Sequence, residues 1–384
     1  TLPLEEALGQ VLSKDIVSPE DLPGFSRSAM DGYAVRAKNT FGASESLPAL
    51  FEIMGEVSMG QTPKRAVGEG QAIKISTGGM LPEGADGVVM VEYCHHLDKG
   101  TLEVTRAISP LENVIQAQDD YAKGEEVLRR GQPIRPQDLG VMAGLGQLEI
   151  PVFRRPRVAI ISTGDEIVPA DERPLPGQVR DINRYTLAAF CHRVGAQCVY
   201  KDLCPDDFES LKEMVEKSLE KADTVWISGG SSVGTRDLTL KVFETLRDFE
   251  LLVHGISISP GKPTIIGKSI SNPIIGLPGH VASALVVAEI FLTRLVARLS
   301  GRLPALDELQ EGVEAELSQN VESASGREDY MRVRLLREGT TLLAEPVFGK
   351  SGLISTLAVA DGLIRIDMNT EGLYKGQKVQ VRLL

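Results

Sequence analysis

Apolar and polar positions follow two different rhythms along this chain. Between residues 157 and 300, short apolar runs alternate with segments of helical spacing. Strands are predicted over 158–162, 197–201, 224–228 and 273–277, with an extended piece at 264–266. Helices are predicted over 184–194, 205–222 and 238–246, and a long one over 281–299. Such alternation predicts a parallel-rich sheet covered on both faces, an α/β domain spanning 151–300. Ligands of these sheets bind beyond the carboxyl ends of the strands, so the glycine-bearing loops after them are expected to share one rim.

The flanking regions have the other rhythm, short strands punctuated by glycine. Strands are predicted over 51–57, 71–75, 87–93 and 101–105, an all-β module inserted at 41–112. Residues 1–40 and 113–150 then form one discontinuous domain. It is expected to hold a helix over 1–12 with Leu4, Leu8 and Leu12 on one side, a tight turn at Gly32, a hairpin at 124–131 and a helix from Arg135 that ends near Gly144 or Gly146. Residues 151–156 read as a linker and 301–320 as a charged one. Strands over 330–336, 340–346, 363–368 and 379–384 predict a small β-barrel or sandwich of about 80 residues within 301–384. The fold class is thus multidomain α/β.

At 384 residues the chain exceeds one ordinary core. Its net charge of −12 gives it no general attraction to a nucleic-acid backbone, and 5% aromatic residues supply no stacking platform for single strands. The short basic stretch Arg154, Arg155, Arg157 reads as a solvated entry to the α/β domain. Four cysteines make no disulfide scaffold, and Cys94-His95-His96 reads as a surface loop rather than a metal site. The opening residues lack the basic head and apolar run of a secretory signal, and Glu289 and Arg294 interrupt the most apolar helix, so a cytoplasmic protein without membrane or nucleic-acid partners is expected.

Candidate chemistry sits in the loops. In Ser228-Gly-Gly-Ser-Ser-Val-Gly234, consecutive backbone amides can cradle an anion, and Asp237 adds a carboxylate; a structural turn explains the glycines equally well. Asp165 and Glu166 follow the first strand, Thr77 lies in a polar glycine turn, and Lys262 stands on a loop bounded by Pro260 and Pro263. Neither a P-loop nor a dinucleotide fingerprint is present.

Taken together, SAMDGYAVR (28–36), ISTGG (75–79), ISTGDEIV (161–168), SGGSSVG (228–234) followed by Asp237, PGKP (260–263) and GLPGH (276–280) resemble the molybdopterin molybdenumtransferase family, which includes the C-terminal half of gephyrin. The resemblance covers nearly the whole chain with the motifs in the same order. It implies an elongated homodimer of four-domain chains: the discontinuous first domain, the inserted β module, a central molybdopterin-binding α/β domain and a small C-terminal β-barrel. By the same resemblance the chain begins inside or just after the first helix of the first domain.

The implied reaction takes adenylyl-molybdopterin and molybdate, with Mg2+, and releases AMP. The implied catalytic residues are Asp31, Thr77, Glu166 and Asp237, of which Glu166 and Asp237 hold the metal. Asp120, Asp206, Gly229, Gly230, Ser231, Ser232, Gly234, Pro278 and Gly279 are implied to hold adenylyl-molybdopterin; Lys262, Ser283, Arg332 and Ser351 are implied to hold molybdate. Transient contacts with the molybdopterin adenylyltransferase and with apo-molybdoenzymes are implied as well. The chain departs from the family pattern at Ser259, where a lysine is usual, at His280 within Pro278–Ser283, and at 115–120, where arginines are usual. Positive charge is thereby lost at two anion-facing places. A scaffold or a sensor without turnover, and tungstate in place of molybdate, are the competing readings.

Overall fold

The structure is a computed structural model that describes residues 1–229, 233–302 and 312–384, with backbone alone for 233–237. The chain divides into two compact units. The first comprises Thr1–Leu8, Leu12–Arg130 and Ile134–Pro151; the second comprises Gly9–Val11, Gly131–Pro133 and Val152–Leu384.

The first unit is built on six strands, β1 (Gly32–Val35), β2 (Ala49–Glu56), β3 (Gln71–Ile75), β4 (Gly87–Met90), β5 (Cys94–His96) and β6 (Thr101–Val104), in the order β4-β1-β3-β2-β6-β5. Only β2 and β3 run parallel. Successive side chains of a strand point to opposite faces, and here both faces are covered. Tyr33, Val35 and Val89 pack on one side with Phe51 and Leu102, while Ala34, Val88, Ile73 and Ile75 pack on the other with Val57 and Val67. The central strands are therefore apolar throughout rather than alternating.

Gly32 is not the expected turn residue. It is the first residue of β1, and a Cβ there would lie 1.9 Å from the Val89 carbonyl oxygen, so glycine is required by close strand approach. The helix expected over 1–12 is also absent. Leu2–Pro3 pairs with Glu149–Ile150, a single 3-10 turn spans Leu4–Glu6, and Gly9 takes a positive φ of 72° that ends any helical path. Leu12 is buried but Leu8 is exposed. Residues 124–131 form no hairpin of their own, since Glu126–Leu128 pairs with Ile16–Val17. The predicted helix α1 (Pro136–Gly144) is present, entered by Pro136 and closed by Asp138, whose carboxylate accepts the Arg135 N–H at 2.8 Å.

The second unit holds the α/β domain. Its strands are β7 (Arg157–Thr163), β8 (Gln197–Cys204), β9 (Thr224–Gly229), β10 (Phe249–His254), β12 (Ile265–Ser269) and β13 (Asn272–Leu277), ordered β8-β7-β9-β13-β12-β10, with β11 (Ile258–Ser259) leaving this sheet. The first four are parallel; β12 and β10 add an antiparallel edge. Val158, Ile160, Trp226 and Ile275 face helix α2 (Asn183–Arg193), α5 (Val281–Val287) and α6 (Thr293–Leu299). Ala159, Ile161, Val225 and Ile274 face α3 (Phe208–Leu219) and α4 (Val233–Glu244). The long helix expected over 281–299 contains a π-helical stretch, Ala288–Leu292, whose buried Glu289 pairs with Arg193 of α2. Arg154 and Arg157 are not merely solvated: both converge on Asp223, with Arg154 Nη2 2.7 Å from Asp223 Oδ1. The Arg154 hydrogen bond is the main reason the Asp223 carboxyl falls to about 2.

Strands β14 (Val313–Leu317), β15 (Glu328–Glu338), β16 (Thr341–Pro346), β17 (Gly362–Ile366) and β18 (Lys378–Leu383) close into a barrel in the order β15-β16-β14-β18-β17 and back to β15. Val333, Ala344, Ile364 and Val381 fill it. Strand β14 lies in the stretch expected to be a linker. Outside the barrel, β11 runs parallel to the start of β15, pairing Ile258 with Glu328 and Ser259 with Asp329.

Two glycines give a paired test of this packing. Gly32→Ala should destabilise the first unit by about 1–3 kcal/mol or more, because the strands must separate to admit a methyl group. Gly140→Ala, in exposed helix α1 with open space around it, should stabilise by about 0.5–1 kcal/mol. Denaturant unfolding of the two variants would contradict the packing if both shifted in the same direction.

Candidate functional site

A cavity of about 730 Å3 lies within the second unit. One wall is the chain leaving β11, through Pro260, Gly261 and Lys262. A second is the turn after β13, Pro278-Gly279-His280, with Ser283 of α5. The third comes from β15 and the loop before it, and from Gly349 and Ser351. Lys262, Ser283, Arg332 and Ser351, named from sequence as one group, thus line one cavity together with Pro278 and Gly279.

Arg332 is buried. Its guanidinium donates to Thr356 Oγ1 at 2.7 Å and to the Gly349 carbonyl at 2.9 Å, while Nε has no partner. No carboxylate pairs with it among the described residues, and burial alone pushes its pKa down. A guanidinium nevertheless stays charged at any physiological pH, so this wall carries a desolvated cation without a counter-ion. Lys262 is exposed and likewise lacks an ion-pair partner among the described residues. Ser283 is buried; Ser351 is tied to the β13 turn, its hydroxyl 2.8 Å from His280 Nδ1 and its carbonyl accepting the Ala282 N–H. Such a surface, cationic and lined by hydroxyls, suits an oxyanion.

Sequence reasoning passed over Arg327, which lines the same cavity. It pairs with Asp329, its Nε 3.1 Å from Oδ1. Burial pushes the Asp329 carboxyl up, but the hydroxyls of Ser323 and Ser259 and the Arg327 charge outweigh it and hold the group below the ordinary carboxylate range. Arg327 stands in the same short string as Arg332, Gly-Arg-Glu-Asp-Tyr-Met-Arg, but its orientation depends on a partner that only the fold reveals.

A second group gathers at the ends of β7, β8 and β9. The Thr163 hydroxyl donates to Asp206 Oδ1 at 2.6 Å, and the Asp206 N–H donates to Asp165 at 3.0 Å. Gly229 meets Thr163 so closely that a Cβ would stand 2.2 Å from its methyl carbon. Glu166 is exposed beside Gly164. Gly230, Ser231 and Ser232 lie outside the described residues, as do the side chains around Asp237; Gly234 and Asp237 belong to α4 by their backbone. A resident magnesium ion would need converging carboxylates. Among the described residues no three His, Cys, Asp or Glu side chains converge, and the Asp237 side chain, expected to hold magnesium with Glu166, lies outside the described residues.

The third group is in the first unit. Asp31 Oδ1 accepts the Thr77 N–H at 2.7 Å and the Thr77 hydroxyl at 3.1 Å, joining the two residues that sequence paired by motif. Asp120 is exposed, its N–H donating to the Leu22 carbonyl. Cys94-His95-His96 is the edge strand β5 rather than a loop, and His96 Nε2 lies 2.8 Å from the Tyr33 hydroxyl.

Comparison with known proteins follows this geometry. Residues 1–146 match the MoeA N-terminal region (domain I and II), 159–298 a molybdopterin binding domain, and 314–384 the MoeA C-terminal region (domain IV). A protein of Methanocaldococcus jannaschii named for molybdopterin biosynthesis is 36% identical over 99% of this chain and 90% of its own. A molybdopterin molybdenumtransferase of Staphylococcus aureus is 28% identical over 100% of this chain and 90% of its own. The crystal structure of a molybdopterin biosynthesis moeA protein of Pyrococcus horikoshii superposes with a TM-score of 0.82 at 37% identity, covering 100% of this chain and 93% of that one.

The Asp31–Thr77 pair has a pH consequence. The Thr77 backbone N–H, and then its hydroxyl, hold the Asp31 carboxyl below its ordinary 3.8. A depressed folded-state value means that the pair's contribution is complete above the unfolded value and disappears as pH falls through the folded one. Thr77→Val should raise the Asp31 titration midpoint without restoring it fully, since the N–H remains. Carboxyl-carbon NMR would read this, and an unmoved midpoint would show that the hydroxyl contributes nothing.

Proposed function

The chain belongs to the MoeA family of molybdopterin molybdenumtransferases, enzymes of molybdenum cofactor biosynthesis, and we propose that it inserts molybdenum from molybdate into adenylyl-molybdopterin, releasing AMP. The observation that supports this most directly is the unpaired, buried guanidinium of Arg332 in the wall of the cavity. An isolated buried cation is costly to keep. A bound dianion such as molybdate would remove that cost, with Lys262 as a second point charge and Ser283 and Ser351 as hydroxyl donors.

The rest of the reaction concerns a pyrophosphate bridge. Breaking it requires that the charge developing on phosphorus-bound oxygens be stabilised and that AMP be free to leave. In the proposal Asp31, Thr77, Glu166 and Asp237 act in that step, while Asp120, Asp206, the loop at 229–234, Pro278 and Gly279 hold the nucleotide-linked pterin. A homodimer in the cytoplasm, with transient contacts to the adenylyltransferase and to apo-molybdoenzymes, belongs to the same proposal and comes from the family reading.

AMP release from adenylyl-molybdopterin, with and without molybdate, tests the proposal; absence of release in both cases would leave a binding protein. Lys262→Ala should weaken molybdate binding by roughly one to two orders of magnitude, the value of a charged hydrogen bond of about 1.5–3 kcal/mol, and leave adenylyl-molybdopterin binding in place. Unchanged molybdate affinity would put the oxyanion on a different loop. Asp237→Asn should slow cleavage far more than it weakens substrate binding. Undiminished cleavage at saturating magnesium would remove Asp237 from the reacting set.

A further inference from the structure

One buried amide ties the end of β9 to the turn after β13 that lines the cavity. Asn183 opens α2 and is almost wholly buried. Its Nδ2 donates to Ser228 Oγ at 2.7 Å and to the Gly279 carbonyl at 2.8 Å. The Ser228 hydroxyl, itself fully buried, donates onward to the Pro278 carbonyl at 3.3 Å. Ser228 and Leu277 are ladder partners on β9 and β13, so the amide bolts neighbouring parallel strands together where both give way to loops.

The usual structural duties do not explain this residue. Asn183 is not the cap of its helix; that position is Ile182, with no side-chain capping bond. Its Oδ1 is buried without a partner, an expense that a merely space-filling residue would avoid. An amide is needed because two hydrogens on one nitrogen serve two acceptors; a carboxylate has none to give and a hydroxyl has one.

The effect of these bonds falls on the peptide planes. The bonds joining Pro278 to Gly279 and Gly279 to His280 are trans, the cis bonds among the described residues lying elsewhere. In a trans peptide the N–H points opposite to the C=O. With the Pro278 and Gly279 carbonyls held by Ser228 and Asn183, the N–H groups of Gly279 and His280 must point the other way. Neither N–H has an acceptor among the described residues, and both residues line the cavity.

We propose that Asn183 is a positioning residue that turns the Gly279 and His280 N–H groups into the cavity as a two-donor cradle for the oxyanion. This rests on the reading of the cavity as an oxyanion site. It assigns to backbone amides part of the work that a lysine at position 259 would do in the usual family pattern. Two N–H groups fixed in direction add no net charge and need no reorganisation when the anion arrives.

The test uses the full chain and molybdate alone as probe. Asn183→Asp keeps the shape but removes both donors; Asn183→Ala removes the side chain. Each should weaken molybdate binding by about tenfold or more when titrated well below the unfolding temperature. Ser228→Ala, which frees only the Pro278 carbonyl, should have a smaller effect. A purely structural residue would lower the unfolding temperature and leave the affinity of the folded protein alone. Any folded Asn183 variant that binds molybdate within twofold of the natural chain would overturn the proposal. Should neither variant fold, amide NMR of the natural chain decides: molybdate should shift the Gly279 and His280 N–H resonances, and binding that leaves both unmoved would overturn it. A natural chain that binds no molybdate would remove the oxyanion reading and this proposal together, whereas binding without Asn183 dependence removes the proposal alone.

Discussion

The cavity exists because two residues of the α/β domain leave their own sheet to pair with the barrel. Ile258 and Ser259 form a parallel ladder with Glu328 and Asp329, extended by the Glu328 N–H donating to the Ser257 carbonyl. A parallel ladder fixes both register and direction. Ser259 stands opposite Asp329, and both chains continue the same way, so Lys262 and Arg332, each three residues further on, reach the same cavity. The ladder is short, but it is anchored. Ile258 is buried in the main α/β core beside Val287 and Leu363, the latter from the barrel itself. Slipping the ladder by one residue would turn Ile258 out of that core, so the apolar anchor protects the polar register.

Several acids of this unit are answered by arginines. Asp181 pairs with Arg184, Glu289 with Arg193, Asp223 with Arg154 and Arg157, and Asp329 with Arg327. Each pair answers the desolvation of one charge with the field of another. Arg332 has no carboxylate partner among the described residues. Its hydrogen bonds go to a hydroxyl and a carbonyl, which satisfy donors without cancelling charge. In a chain of net charge −12, a carboxylate partner would have been easy to supply. Its absence among the described residues, where hydroxyls and a second cation also line the cavity, is what the proposed ligand site rests on.

Much of this was legible in the sequence because it depends on local pattern. The alternation of apolar strands and helical spacing gave the α/β domain, and the family resemblance carried by the loop strings implied Lys262, Ser283, Arg332 and Ser351, which do share a cavity. The failures have a common origin in distant partners. The leucine spacing of 1–12 looked helical, but Leu2 is claimed by Ile150 far along the chain. Val313, Ala315 and Leu317 alternate with Glu314 and Glu316 as a strand should, yet the surrounding charge disguised it as a linker. Arg154 and Arg157 looked solvated until Asp223, on the neighbouring strand's approach, was brought to them. Asn183 carries no local signal, since an asparagine at a helix start is ordinary; only its two acceptors distinguish it.

The serine at position 259 shows how the same ladder limits what a substitution can do. A lysine there would stand beside Asp329 and compete with Arg327 for it, so part of its charge would be spent on a carboxylate rather than on a ligand. With serine, the Ser323 and Ser259 hydroxyls and the Arg327 charge outweigh burial and hold the Asp329 carboxyl low, and Lys262 and Arg332 remain cavity cations with no carboxylate partner among the described residues. In the proposed oxyanion site the burden then falls on neutral donors, Ser283, Ser351 and the peptide groups after β13, whose contribution depends on direction more than on charge. Direction is set by buried structure, and buried structure around that turn means Asn183 and Ser228, with the exposed His280–Ser351 contact beside them. Loss of one flexible cation thus shifts the burden from a side chain that finds its ligand to a backbone that must already be in place. Such a site is less able to adapt to anions of other shapes. It gains nothing in separating molybdate from tungstate, two tetrahedral ions of nearly equal size that present the same oxygens to the same donors.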